Sequence, residues 1–169
     1  MFKKFILLFL ISFSVVFADA GTFISDLAKE TTKILSQPNG DKKYLDFINK
    51  NVDVDWISTF VLGSSGRNLS DKEKQEFKTL YSKYLLQNYV SKIKDYSKEI
   101  KVTKTDEKSS EITIVSVVTK DKTNTSINVN FRIKKTNDKY LITDIIPEGI
   151  SFIGSQRTDV GNSIQKKRI

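Results

Sequence analysis

The sequence contains no cysteine and no histidine in its 169 residues. Without cysteine the protein can form no disulfide bond and can carry no lipid-modified cysteine at its N-terminus. The joint absence of both residue types also argues against a zinc or copper site and against catalysis by a Ser-His or Cys-His pair. We therefore expect a fold stabilised by packing alone, with no metal and no cofactor.

Arginine is scarce, with four residues against 24 lysines, although the formal net charge is +8. Sites for nucleic acid favour the planar fork of arginine, so this composition argues against a nucleic-acid partner. The excess of lysine and asparagine is also typical of an AT-rich genome. A weaker inference remains, namely that the protein is attracted to anionic lipid surfaces or acidic partners.

Long apolar runs are absent except at the N-terminus. Lys3 and Lys4 precede an uncharged apolar run, residues 5–17, which the small-x-small pattern of residues 18–20 follows. This order predicts a secretory signal peptide, residues 1–20, removed by cleavage. The run is shorter than the roughly 20 apolar residues that span a bilayer, although an uncleaved anchor is an alternative.

The rest of the chain, residues 21–169, has the length of one ordinary domain. Apolar residues recur at spacings of three and four in its first half, which predicts helices over residues 22–36, 41–49, 52–63 and 70–96. Alternation and β-branched residues then predict strands over residues 98–104, 111–119, 125–135 and 139–147. Residues 150–169 are expected to form a short helix or a tail.

These elements predict an α+β fold, in which the N-terminal helices pack on a four-stranded antiparallel meander. The links between strands are short, which favours antiparallel neighbours. The alternation places Ile114, Val129, Phe131 and Ile146 on the inner face of the sheet. A slip of one residue would invert that face for a whole strand.

Two pairs of carboxylates are the candidates for acid–base catalysis, Asp53 with Asp55 and Asp144 with Glu148. Asp53 and Asp55 come directly before the apolar face of a helix, where aspartate commonly caps the helix N-terminus. Asp144 lies in a strand and Glu148 beside a Pro-Gly turn, so solvent or rim positions explain both. No glycine-rich phosphate loop and no G-x-S-x-G motif occurs. We do not expect an enzyme.

Aromatic residues are concentrated in the helical half of the chain. They include Tyr44, Phe47, Trp56, Phe60, Phe77, Tyr81 and Tyr84. A stripe of this kind forms a hydrophobic core more often than it lines a ligand pocket, and periodicity alone does not separate the two.

Three features resemble the MlaC family of periplasmic phospholipid carriers in Gram-negative bacteria, which are also known as toluene-tolerance auxiliary proteins. They are VDVDWISTFVLG at residues 52–63, the capped helix containing Gln75-Glu76-Phe77, and DIIPEGISFIGSQR at residues 144–157. The chain departs from the family pattern at Ser64-Ser65-Gly66, where an aromatic-rich turn is usual, and at Gln156, where a tyrosine is usual.

The resemblance implies an apolar cavity between sheet and helices, of the kind found in cystatin-like and NTF2-like folds. Acyl chains would fill this cavity and the head group would lie near solvent. The implied partners are an inner-membrane ABC transporter complex, through its MCE-domain protein, and an outer-membrane lipoprotein–porin complex. A monomeric carrier in the periplasm would thus maintain the lipid asymmetry of the outer membrane.

On this interpretation the inward phase of the helices and strands selects the residues that line or close the cavity. They are Trp56, Phe60, Phe77, Tyr81, Tyr84, Ile114, Val129, Phe131, Ile146, Ile150 and Phe152. Arg67, Ser151 and Arg157 are the candidates for the polar rim near a phosphate, with an ion pair from Arg157 to Asp144 or Glu148 as the alternative.

A second function remains possible from sequence. The same residues could fill an ordinary core, and the protein would then be a periplasmic protein-interaction module with no lipid ligand. The two functions differ in one physical quantity, because acyl chains need a cavity of several hundred cubic ångström and a core at ordinary packing density excludes them.

Overall fold

The computed structural model describes residues 19–95, 100–120, 123–136 and 139–166, with the side chains of residues 41 and 86–95 excepted. The described helices are α1 (Ala20–Leu35), α2 (Gly40–Asn51), α3 (Val54–Leu62), a 3₁₀ helix (Gly63–Asn68), α4 (Asp71–Asp95) and α5 (Phe152–Lys166). The strands are β1 (Lys101–Glu107), β2 (Ile112–Lys120), β3 (Ser126–Lys135) and β4 (Tyr140–Pro147). Parts of several predictions lie outside the described residues: 1–18 of the signal peptide, 96 of a helix, 98–99 of a strand and 167–169 of the tail.

Side-chain caps set the starts of three helices, of which those of α3 and α4 were predicted from sequence. The carboxylate of Asp53 accepts a hydrogen bond of 3.1 Å from the backbone N–H of Trp56 at the start of α3. At the start of α4, the backbone N–H of Ser70 donates to Glu73 over 2.7 Å, and Ser70 Oγ accepts from the backbone N–H of Glu73 over 3.3 Å. Asp19 caps α1 in the same way, over 2.9 Å to the N–H of Thr22. These bonds satisfy backbone donors that lack a partner within the helix.

The four strands form one antiparallel sheet in the order β1-β2-β3-β4, which confirms the predicted meander. On β3 the inner face carries Val129 and Phe131, as expected, together with Ile133. On β2 the expected facing is wrong: Val115 and Val117 are buried, whereas Ile114 pairs with Arg132 on the outer face. Both faces of β2 are apolar in sequence, so hydrophobicity alone cannot select the inner one.

A β-bulge inverts the predicted phase at the end of β4. Ile133 pairs with Ile142, but Arg132 pairs with Asp144, so Thr143 is an extra residue in the ladder. Beyond the bulge, Ile145 pairs with Phe131 and lies on the inner face. Ile146 pairs with the outer-face residue Asn130, and its expected inward position is therefore wrong.

Three hydrophobic clusters place the helices, and the third, formed by Tyr44, Ile48 and Val54, joins α2 to α3. In the first, Ile24 and Leu27 of α1 pack on Val115, Val117 and Ile133 of the sheet. The second joins α3, α4 and α5, with Val61, Tyr81 and Ile153 at its centre. Helix α5 contributes Ile153 to the second cluster. The C-terminal segment is therefore a helix of 15 residues that completes the core, and not a tail.

Candidate functional site

An open apolar pocket of about 560 Å³ lies between the inner face of the sheet and the helices. Helix α1 contributes Ile24 and Leu27, and the sheet contributes Val117, Val129 and Phe131. The α1 residues belong to a helical stripe with spacings of three and four, and the sheet residues follow the alternation of the strands. The pocket is therefore the part of the sheet–helix interface that side chains do not fill.

The remaining walls come from the other helices. Tyr44 and Phe47 of α2 stack with ring centroids 5.6 Å apart, and both line the pocket. Tyr44 is 4% exposed, and burial raises the pKa of its hydroxyl. Ile57 of α3 and Leu85 of α4 close a further side. Together with α1, these helices surround a space whose floor is the sheet, and α5 completes the wall with residues 152–153.

Polar groups in the lining are mostly occupied by the protein itself. Thr32 Oγ1 donates to the carbonyl of Ala28 over 3.1 Å, and Asn51 Nδ2 donates to the carbonyl of Phe47 over 2.9 Å. Among the described residues that line the pocket, Asp144 is the one acidic residue, and none is a lysine or an arginine. The lining thus suits hydrocarbon and offers nothing to neutralise a phosphate.

Asp144 holds the N-terminus of α5. Its side chain is 1% exposed and accepts hydrogen bonds from Ser151 Oγ over 2.7 Å and from the backbone N–H of Ile153 over 3.2 Å. Phe152 and Ile153 follow directly and line the pocket. A carboxylate that was a catalytic candidate in sequence therefore positions one wall of an apolar cavity.

The other carboxylate candidates are also engaged in structural contacts. Asp53 caps α3 and lies 3.4 Å from Lys134 Nζ. Asp55 forms an ion pair with Lys78. Glu148 accepts from the backbone N–H of Asn128 and adopts φ +47° beside the turn at Gly149. Across the described part of the chain, no three acidic side chains come together as a metal site would require.

Of the eleven predicted cavity residues, three line the pocket: Val129, Phe131 and Phe152. Ile114 and Ile146 lie on the outer face for the reasons given above. Ile150 follows the turn at Gly149 and is 66% exposed, so it does not line or close the cavity as expected.

The predicted helical aromatic residues form two stacks outside the pocket. Phe77, Tyr81 and Tyr84 stack in series along α4, with centroids 5.5 and 6.0 Å apart. Trp56 stacks on Phe60 of α3 at 5.3 Å. Phe60, Phe77 and Tyr81 belong to the second cluster, whereas Trp56 and Tyr84 are 38% and 40% exposed. The structure thus places these five residues in or beside a core, which was the alternative that periodicity left open.

The three predicted rim residues also lie outside the pocket lining. Ser151 caps α5, since its Oγ accepts from the N–H of Gly154 over 3.1 Å. Arg67 is exposed at the end of the 3₁₀ helix. Arg157 Nη1 donates to the carbonyl of Phe60 over 3.3 Å, and its guanidinium lies 4.9 Å from the centre of that ring. The alternative from sequence, an ion pair from Arg157 to Asp144 or Glu148, is not formed either.

Gly63 makes this position of Arg157 possible. The residue ends α3 with φ +50°, and a Cβ at this position would come within 2.8 Å of Arg157 Cζ. Glycine is the residue that allows both the positive φ and the close approach.

Sequence reasoning missed the pocket residues of α1 and α2. Ile24, Leu27, Tyr44 and Ile48 line the pocket, and each belongs to a helical stripe that is visible in the sequence. The stripe shows that these side chains face inward. It does not show whether they meet other side chains or an open space.

The described residues contain no helix that is both long and apolar enough to cross a membrane. Among solved structures, the chain is similar to the phospholipid-binding protein from Ralstonia solanacearum in complex with a phospholipid, with a TM-score of 0.71, 12% sequence identity and 89% of each chain covered. At that identity the likeness concerns the fold. No curated protein matches the sequence. The family model of the MlaC protein matches residues 20–169, nearly the whole chain, and this protein therefore belongs to the MlaC family.

Proposed function

We propose that this protein is a soluble periplasmic carrier that holds the acyl chains of a phospholipid in the pocket described above. The observation that carries the proposal is the open apolar space of about 560 Å³ in a chain of the MlaC family. This volume lies within the range of about 300–1,000 Å³ that is usual for ligand pockets. A filled sheet–helix interface at ordinary packing density would leave no such space, which argues against the interaction module without a ligand.

The chemistry of the lining supports the placement of the lipid. Val129, Phe131 and Phe152, together with the stripe of α1, present hydrocarbon to the acyl chains. No lysine or arginine occurs among the described residues of the lining, so a buried anionic phosphate would find no counter-charge in the interior. We therefore place the head group outside the cavity, in water.

The energetics of burial determine how such a carrier would work. Two acyl chains have roughly 30 methylenes, each worth about 0.8 kcal/mol on burial. The gross term, about 24 kcal/mol, exceeds the practical limit of non-covalent affinity, and ordering costs reduce it. A bound lipid would still leave into water very slowly. Loading and release would therefore occur while the carrier is docked to a partner that offers an apolar path, without any catalytic step.

The proposed partners follow from family membership. We propose that the carrier exchanges lipid with an inner-membrane MCE-domain transporter complex and with an outer-membrane lipoprotein–porin complex, and so maintains outer-membrane asymmetry. This role requires export. Cleavage after Ala20 would produce a chain that begins at Gly21 and lacks the Asp19 cap and the buried Ala20 of α1. The intact mass of protein purified from the periplasm tests that cleavage.

Solvent extraction of the purified protein, followed by mass spectrometry, tests the central proposal. We expect about one phospholipid per protein and uptake of labelled phospholipid from vesicles by protein stripped of lipid. A protein that contains no phospholipid and takes none up from vesicles would contradict the proposal.

A further inference from the structure

A second concavity of about 510 Å³ lies between α2, α3, α4 and the start of β4. We call it the α2–α4 groove and define it by three apolar residues, Leu45, Val54 and Leu141, and three lysines, Lys78, Lys83 and Lys139. Val52 lines both this groove and the apolar pocket. The groove is therefore separate from the pocket but shares one wall residue with it.

The groove carries more positive than negative charge. Asp55 is matched by Lys78, and Asp53 by Lys134, whose Nζ lies 3.4 Å from the carboxylate. Lys83 and Lys139 are exposed, and neither forms an ion pair within the described ranges. After pairing, the groove presents two lysine charges that its own carboxylates do not compensate.

The apolar part of the groove is recessed. Val54 is 6% exposed, and Leu45 and Leu141 are half-buried, so none of the three protrudes. A flat bilayer surface cannot reach such recessed residues, because the concave walls of the groove hold it away from them. A polypeptide can, because it presents apolar and charged side chains at alternating depths.

We propose that the α2–α4 groove docks an acidic, amphipathic segment of a partner protein. Carboxylates of the segment pair with Lys83 and Lys139, and its apolar side chains contact Leu45 and Leu141. Positive rims and apolar floors are complementary to such a segment in charge and in depth. Since Val52 borders the pocket, the docked segment lies beside the wall of the cavity. This docking goes beyond lipid binding and does not depend on it.

Two synthetic peptides of 16 residues test the proposal, one of leucine and glutamate in amphipathic order and one with lysine in place of glutamate. Amide chemical shifts of the full chain are recorded with each peptide. The charge-reversed variant K83E/K139E is compared with K72E/K101E, which changes the net charge equally at exposed lysines outside the groove. Phospholipid content is measured for every variant, so that a failure of lipid binding is recognised separately.

We expect the acidic peptide to shift amides of the groove, such as those of Asn49, Ser82 and Leu141, and the basic peptide to shift none. K83E/K139E should weaken binding about tenfold and K72E/K101E by much less. Equal weakening in both variants, or shifts confined to other surfaces, would overturn the proposal. So would a loss of binding to phosphatidylglycerol vesicles in K83E/K139E while its affinity for the peptide is unchanged.

Discussion

Ser151 Oγ donates a hydrogen bond of 2.7 Å to the buried carboxylate of Asp144. The same carboxylate accepts from the backbone N–H of Ile153 over 3.2 Å, so the end of β4 and the start of α5 form one bonded unit. Phe152 and Ile153 obtain their places in the pocket wall from this unit. The shape of an apolar cavity thus depends on a polar contact at its edge.

We predict that Asp144→Ala lowers the free energy of unfolding by about 2 kcal/mol, since it leaves the half-buried hydroxyl of Ser151 and the buried backbone N–H of Ile153 without their acceptor. Asp144→Asn should cost less, because one acceptor oxygen remains. Urea denaturation measures both effects. Asp26→Ala, at a carboxylate that is 64% exposed, is the control and should change little. Equal stability of Asp144→Ala and the wild type would show that the cap is dispensable.

Tyr81 carries a buried hydroxyl that has no hydrogen-bond partner among the described residues. We predict that Tyr81→Phe is as stable as the wild type at neutral pH, or more stable by up to about 1 kcal/mol, because it removes an unsatisfied polar group. Chemical denaturation at pH 7 measures this difference. A clear loss of stability would mean that the hydroxyl has a partner.

The pH dependence of stability gives a second measurement on the same variant. Burial, with smaller effects from Tyr84 and Asp144, raises the pKa of Tyr81 above its ordinary value of 10.0. The folded state therefore keeps a proton that the unfolded chain loses, and stability declines as the pH rises above about 10. Tyr81→Phe should show a smaller decline than the wild type. Parallel declines of the two proteins would contradict the assignment.

Ala28 lines the pocket on α1, whereas its neighbour Lys29 is exposed. We predict that Ala28→Trp fills part of the cavity and lowers the phospholipid that co-purifies by about tenfold, which corresponds to ~1.4 kcal/mol. Lys29→Trp adds the same side chain to the outside of the same helix and should retain the lipid. Mass spectrometry of both variants measures the difference. Equal lipid contents would place the acyl chains elsewhere.

The periodicities that define the fold are visible in the sequence. Helix α1 follows from apolar residues spaced by three and four, and the meander from apolar residues that alternate along each strand. The caps at Asp53 and Ser70 follow from local backbone chemistry. These features depend on neighbours in sequence. For that reason the α+β layout and most helix starts were predictable.

The position of the pocket depends on contacts between residues distant in sequence. The bulge at Thr143 exchanges Ile146 for Ile145 on the inner face, and no local pattern marks it. Likewise, Tyr81 and Tyr44 are both buried aromatic residues in hydrophobic clusters on inward helical faces, yet only Tyr44 also lines the pocket. Beside Tyr81, residues of α3 and α5 fill the space, and these neighbours are distant in sequence.

The contact of Arg157 with Phe60 gives this arginine a structural role, which an experiment can distinguish from binding of a lipid head group. The guanidinium donates to the carbonyl of Phe60 and lies over its ring, where it joins α5 to the end of α3. We predict that Arg157→Gln lowers the free energy of unfolding by about 1–2 kcal/mol through loss of both contacts, and leaves the phospholipid content unchanged. Denaturation and lipid extraction measure the two quantities on one preparation, with Arg67→Gln as the exposed control. Loss of lipid at unchanged stability would instead assign Arg157 to the head group, as the sequence alone had suggested.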